Sequence, residues 1–154
     1  MSHDSQSDGP HFEQRHGAYL ISSDPSRLDL PYIREFLTKR AYWSKGVDWS
    51  LIEAALRHSL SLGVYDGAGG QVGFARIVTD YALFAYLRDV FIDEAHRGRG
   101  LGVQITRAAL AHPRLSTVPS WMLATEDAHG VYEKAGFYPL EHPEWYMQRL
   151  GTTA

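Results

Sequence analysis

The chain has 154 residues, 44% of them hydrophobic, with a formal net charge of −3 and no cysteine. That length fits one domain whose core needs neither disulfide nor metal, and the missing cysteines exclude disulfides, thiolate zinc sites and a cysteine nucleophile. The weakly acidic balance gives no global basic field for nucleic acid, and no apolar run is long enough to span a bilayer.

Residues 1 to about 16 are rich in Ser, Asp, Gln and His and read as a mobile tail, followed by a single domain over 17–154. This polar opening has no apolar signal core, so the expectation is a soluble, cytoplasmic protein. Gly17 to Ile21 is a short apolar run before a polar turn and predicts a first strand. Ile33, Phe36, Leu37 and Ala41 share one face of a helix, with Pro31 near its start. A second helix is capped by Asp48 or Ser50, the latter at capping-box spacing from Glu53, with Ile52, Ala55, Leu56 and Leu60 inward.

The pattern then turns to strands. Leu62 to Tyr65 is one, Asp66-Gly67-Ala68-Gly69-Gly70 a turn, Gln71 to Thr79 the next, and Phe84 to Ile92 another. Val72, Phe74, Ala75, Ile77 and Val78 are all apolar, which predicts a sheet covered on both faces. A helix runs from Gly100 to about Ala111, with Pro113 beyond its end. Trp121 to Ala124 is a strand, Ala128 to Lys134 a short helix stopped by Gly136, and Phe137 to Leu140 and Trp145 to Leu150 are closing strands.

The stretch with chemical content is Val90 to Gly102, where a strand enters a glycine-rich loop that opens a helix. A helix N-terminus offers unpaired N–H groups and partial positive charge. Gly98, Gly100 and Gly102 let backbone approach an anion closely, and Arg97 and Arg99 add two cations. The combination suits a phosphate or pyrophosphate. It has neither the spacing of a dinucleotide fingerprint nor the Gly-Lys-Ser/Thr of a P-loop.

Arg97-Gly98-Arg99-Gly100-Leu101-Gly102 resembles the Arg/Gln-x-x-Gly-x-Gly/Ala signature of the GNAT N-acetyltransferase family. Ala128-His129-Gly130-Val131-Tyr132-Glu133-Lys134-Ala135-Gly136-Phe137 resembles the Ala-x-x-x-Tyr-Glu-Lys-x-Gly-Phe segment of the same family. The likeness covers roughly residues 62–138. It implies one α/β (α+β) domain, with a mixed, mostly antiparallel twisted sheet of about six to seven strands flanked by about four helices. It also implies acetyl-CoA as co-substrate. By resemblance the backbone of Val90, Phe91 and Ile92 pairs with the pantetheine arm, and Arg97, Gly98, Arg99, Gly100, Leu101 and Gly102 hold the pyrophosphate. Many relatives carry Asn seven residues before the tyrosine, where this chain has Thr125.

Tyr132 is the candidate general acid, since a phenol with a pKa near 10 stays protonated at neutral pH and can protonate a departing thiolate. Asp89 is the candidate base or ammonium ligand, and its alternative is an ion pair with Arg88 or Arg76. His129 sits near Tyr132, where packing or capping competes with catalysis. The acceptor pocket is expected at Tyr42 and Trp43, with Tyr81, Phe84 and Tyr86 as further wall residues or as core. The eight histidines show no helical ligand spacing, so no metal is expected. The implied reaction is direct transfer of acetyl to a small-molecule amine in a ternary complex. Protein acetylation at lysines or N-termini, or non-catalytic acyl-CoA sensing, are the alternatives. No nucleic-acid or membrane partner is expected, and the apolar Trp145 to Leu150 segment suits pairing with a second copy.

Overall fold

The structure, a computed structural model, describes residues 11–151. Six strands lie in one sheet in sequence order. They are β1 (Glu13–His16), β2 (Tyr19–Ser22), β3 (Leu60–Tyr65), β4 (Gln71–Thr79), β5 (Phe84–Ile92) and β6 (Ser120–Leu123). Four α-helices accompany them: α1 (Leu30–Glu35), α2 (Trp49–Arg57), α3 (Leu101–Ala111) and α4 (His129–Lys134). Neighbouring strands are antiparallel up to β5, and β6 alone runs parallel to its neighbour. A parallel neighbour needs a crossover, and α3 supplies it.

The sheet is buried on both faces, as the apolar run in β4 predicts; every residue from Gln71 to Ile77 is buried. On one face Leu62, Ile77, Ala85 and Leu87 meet Leu101, Ile105, Ala108 and Ala109 of α3. On the other, Phe74 and Phe91 meet Ile33, Phe36, Leu37, Ala41 and Ile52. The Phe36 and Phe91 rings stack at 3.7 Å. In β3, the Tyr65 phenol lies where a side chain on Gly63 would project, so that glycine makes room for an aromatic neighbour on its own strand.

Several boundaries differ from the sequence reading. The expected tail stops short of residue 16: Glu13–His16 pair with Tyr19–Ser22, and residues 1–10 lie outside the described residues. An edge strand with outward polar side chains carries no apolar signal, and Gly17, at φ +59°, makes the tight turn that closes the hairpin. The strand expected from Gly17 is therefore the second, β2, and begins at Tyr19. The first helix is six residues long and widens into a π-helical turn over Phe36–Arg40, which keeps Phe36 and Leu37 inward. Asp48 caps α2, accepting from the Ser50 N–H at 2.8 Å and the Ser50 hydroxyl at 2.7 Å, so Ser50 is not the cap. Leu60 belongs to β3, not to α2.

The two closing strands are absent from the described residues. Phe137 to Leu140 is irregular, and Trp145 closes a 3₁₀ turn over Pro143–Trp145. Pro139 and Pro143 each remove a ladder donor, and among the described residues no strand pairs with the outer edge of β6. Trp145, Tyr146, Met147 and Leu150 are correspondingly exposed, Met147 to 99%.

Candidate active site

The site begins with a split in the sheet. β5 and β6 pair only from Phe84 with Ser120 to Leu87 with Leu123. β5 continues to Ile92, whereas the chain after Leu123 leaves toward α4. From Arg88 onward, one edge of β5 is bonded to β4 through Phe74–Phe91 and Gly73–Ile92, and the other pairs with no strand among the described residues. A cleft of about 530 Å³ opens there, between Tyr42, Trp43 and Arg88–Val90 on one side and Ala124–Ala128 and Tyr132 on the other.

A bulge in β5 shapes that cleft. Phe74 pairs with Phe91 and Arg76 with Arg88, so Asp89 and Val90 together oppose Ala75. Asp89 is in the left-handed region at φ +55°, unusual for a non-glycine residue and tolerated best by Asn and Asp. The extra residue reverses which face later side chains meet. Ala85 and Leu87 are in the core under α3 before it, while Val90 and Ile92 are on that side after it. Asp89 turns toward β4, where Oδ2 accepts from Arg76 Nε at 2.7 Å and Oδ1 from Trp43 Nε1 at 2.9 Å. Arg76 also donates to Ser59 Oγ at 3.0 Å. The Asp89 and Arg76 side chains are only 9% and 10% exposed, which makes this a buried ion pair.

Beyond β5, the chain makes a short 3₁₀ turn over Glu94–His96 and enters the glycine loop. Gly98 and Gly100 have φ of +77° and +76°, the conformations that glycine adopts without strain. Gly100 is the N-cap of α3 and no side chain caps the helix. The first intrahelical bond runs from Gln104 N–H to the Gly100 carbonyl at 3.0 Å. The N–H groups of Leu101, Gly102 and Val103 precede it and have no helical carbonyl to reach. A side chain on Gly102 would meet Val131 at 3.3 Å, so this glycine sets how closely α3 approaches α4. Arg97 donates from Nε to the Ile92 carbonyl at 3.1 Å. Arg99 donates to the Tyr19 hydroxyl at 2.9 Å, which in turn shares a 2.7 Å hydrogen bond with His96 Nδ1. Both arginines are thus anchored through part of their guanidinium groups while staying exposed at the loop. An uncapped helix start, two left-handed glycines and two cations form a donor set suited to a pyrophosphate.

Tyr132, on α4, is half-buried at the far wall of the cleft. Its phenol is pushed up to about 12, chiefly by burial, with Tyr42 and Asp127 adding to the effect. Thr125 Oγ1 accepts from the Ala128 N–H at 3.0 Å and so braces the loop into α4. His129 is exposed and faces a neighbouring groove rather than this cleft.

Of the residues singled out from sequence, the cleft brings together Tyr42, Trp43, Tyr86, Asp89, Val90 and Tyr132. Phe91 points into the core against α1, so only its backbone is available at the split. Tyr81 does not join the wall. It adopts φ +62° in the β4–β5 turn and packs against the α3-side core under the Arg114 guanidinium, 3.9 Å from its ring centroid. Phe84 also lies outside the cleft. Sequence reasoning missed the Ser59–Arg76 extension, the Tyr19–His96–Arg99 chain, and Glu126, Asp127 and Gln148 as lining residues. For Glu126 and Asp127 the signal was present, since they occupy the short loop between a predicted strand and the helix bearing Tyr132.

Comparison with known proteins agrees with this arrangement. The acetyltransferase (GNAT) domain family matches residues 58–139, more than half of the chain. A Gibberella zeae protein assigned as an acetyltransferase is 33% identical, with 77% of each chain covered. A crystal structure of a Xanthomonas campestris protein assigned to the GNAT acetyltransferases is 40% identical. It superposes with a TM-score of 0.82 over 90% of this chain and 95% of that one. A Deinococcus radiodurans structure, 17% identical with a TM-score of 0.62 over 90% and 94% of the two chains, shares the fold. With its split sheet, glycine loop and α4 tyrosine, the chain belongs to the GNAT acetyltransferase family and is an acyltransferase.

Proposed function

We propose that this protein binds acetyl-CoA along the open edge of β5 and transfers its acetyl group to the amine of a small molecule, by direct attack in a ternary complex. The observation that carries the reading is the continuity between the free edge of Arg88–Ile92 and the uncapped start of α3. One connected surface offers strand-like backbone partners and an anion site in sequence. Acetyl-CoA, when bound, supplies a thioester-activated acetyl group and a thiolate leaving group.

The chain's own residues then have distinct tasks. Backbone groups of Val90, Phe91 and Ile92 hold the extended arm, and a strand N–H steadies charge that develops on the carbonyl oxygen. Arg97, Gly98, Arg99, Gly100, Leu101 and Gly102 hold the pyrophosphate. Tyr132 keeps a proton on its phenol oxygen and delivers it to the leaving sulfur. Asp89 takes the ion-pair side of its two sequence-level roles. With both carboxylate oxygens engaged by Arg76 and Trp43, it positions the aromatic wall of Trp43 and Tyr42, whose rings meet edge to face at 5.1 Å. Tyr86 lines the same wall. No dedicated base is needed for an amine that enters neutral.

The test is release of CoA thiol from acetyl-CoA in the presence of a panel of small amines. The protein has no cysteine, so a thiol reagent reads only the product. Amine-dependent release is expected. Release only with lysine-containing peptides would replace the small-molecule reading by protein acetylation, and binding without any release would replace it by a sensor.

The reading includes a cytoplasmic location, in keeping with a chain free of cysteine, and a homodimer. Support for the dimer is the open edge of β6 beside the exposed Trp145, Tyr146, Met147 and Leu150. Light scattering should give about twice the 17.3 kDa chain mass, and Met147→Asp should return it to one chain. A wild-type protein at the mass of one chain would contradict the dimer.

A further inference from the structure

Among the described residues, one cation lining the cleft has no side-chain partner. Arg76 and Arg88 sit directly opposite each other on β4 and β5, a like-charge arrangement that is unfavourable unless neutralised. Asp89 neutralises only the first. Its two oxygens are taken by Arg76 at 2.7 Å and Trp43 at 2.9 Å, and the left-handed turn at Asp89 directs the carboxylate to β4. Arg88 lines the cleft, is exposed, and makes no side-chain hydrogen bond or ion pair among the described residues. The facing loop carries Glu126 and Asp127, both exposed, next to the wall bearing Tyr132. The cleft therefore has a free guanidinium on one wall, beside Tyr42 and Trp43, and carboxylates on the other, beside Tyr132.

We propose that Arg88 recognises a carboxylate or phosphate on the acceptor, so that the substrate class is a small amine that is also an acid. The proposal rests on the small-molecule reading above. A guanidinium pairs with either anion through two parallel N–H donors, and the opposite wall leaves the amine end beside Glu126, Asp127 and Tyr132. A polyamine fits this cleft poorly, because Arg88 repels a second cation where the acid would bind.

The experiment compares acetylation of matched pairs: an amino acid with its amide, and an aminoalkyl phosphate with the corresponding amino alcohol. The readout is the ratio of kcat/KM within each pair. One charge-assisted contact is worth roughly a 10- to 100-fold preference for the acid. The wild type should show this preference in one pair, which also identifies the anion as carboxylate or phosphate. Arg88→Gln should bring the ratio near one, and Arg88→Lys, which keeps the charge but loses the fork, should fall between. Arg88 is exposed, so both variants should fold, and thermal unfolding checks this. Neutral amines acetylated as well as their acidic partners, or a preference unchanged in Arg88→Gln, would overturn this inference alone. Acetyl-CoA binding with no acetylation of any pair member would overturn the small-molecule reading and this inference with it.

Discussion

Replacing Tyr132 by phenylalanine should lower kcat by roughly 100- to 10,000-fold, the usual contribution of a general acid, with acetyl-CoA affinity retained. The ring is kept, so its packing on the α3-side core and its edge-to-face contact with Phe137 at 6.3 Å persist. What goes is one proton donor. Its pH behaviour follows from burial. The phenol acts when protonated, and a pKa raised to about 12 extends the protonated range upward rather than shortening it. The wild-type kcat/KM should therefore rise as the amine acceptor deprotonates and show no descending limb through about pH 10, where an ordinary tyrosine would already be half ionised. A descending limb near neutrality, or full activity in Tyr132→Phe, would remove Tyr132 from the role of acid.

The second large effect is on stability. Asp89→Ala leaves Arg76 charged and without a counter-ion, with only its Ser59 hydrogen bond, in a site where its side chain is 10% exposed, and breaking a buried pair in this way costs about 3–5 kcal/mol. For a domain of this size that is a fall in Tm of roughly 10 °C. Alanine also tolerates the left-handed φ of +55° less well than aspartate. Asp89→Asn should fall less, since an amide can still accept from Trp43 and suits that conformation. Removing both charges, as in Arg76→Met with Asp89→Asn, should recover much of the loss, because the penalty belongs to the orphaned guanidinium. Thermal unfolding of the three variants checks this. An Asp89→Asn protein as stable as the wild type but inactive would point instead to a carboxylate that takes the amine's proton.

The strongest features in sequence were those that depend on short-range pattern. The limits of β4 and β5 agree with the apolar runs because the glycine-rich Asp66–Gly70 turn opens β4 and the chain turns again around Thr79 to Leu83 before β5. Gly98, Gly100 and the start of α3 were legible because a strand, left-handed glycines and a helix follow one another within a few residues. The illegible parts depend on distance or on neighbours. The preference of Asp89 for Arg76 over the adjacent Arg88 comes from a one-residue bulge, which no periodicity announces. β1 is polar because it is an edge, and its pairing depends on the Gly17 turn. Trp145 to Leu150 has strand-like composition, yet a strand exists only beside another, and among the described residues none pairs with β6 on that side. Tyr81 misled for a related reason, since an aromatic in a turn can serve the core as readily as a cleft.

The most direct test of the account is thermal unfolding with and without acetyl-CoA, in the wild type and in two glycine variants. Gly100 and Gly69 have φ of +76° and +87°, and an added side chain meets nothing within 4 Å at either, so Gly100→Val and Gly69→Val carry similar backbone strain. Only the first is at the proposed pyrophosphate loop, whereas the second is in the β3–β4 hairpin. At a ligand concentration about 100 times Kd, linkage adds about 2.7 kcal/mol, a rise in Tm of roughly 5–10 °C. The wild type and Gly69→Val should show that rise and Gly100→Val should lose it. No rise in the wild type, or an equal rise in Gly100→Val, would contradict the placement of acetyl-CoA at the start of α3.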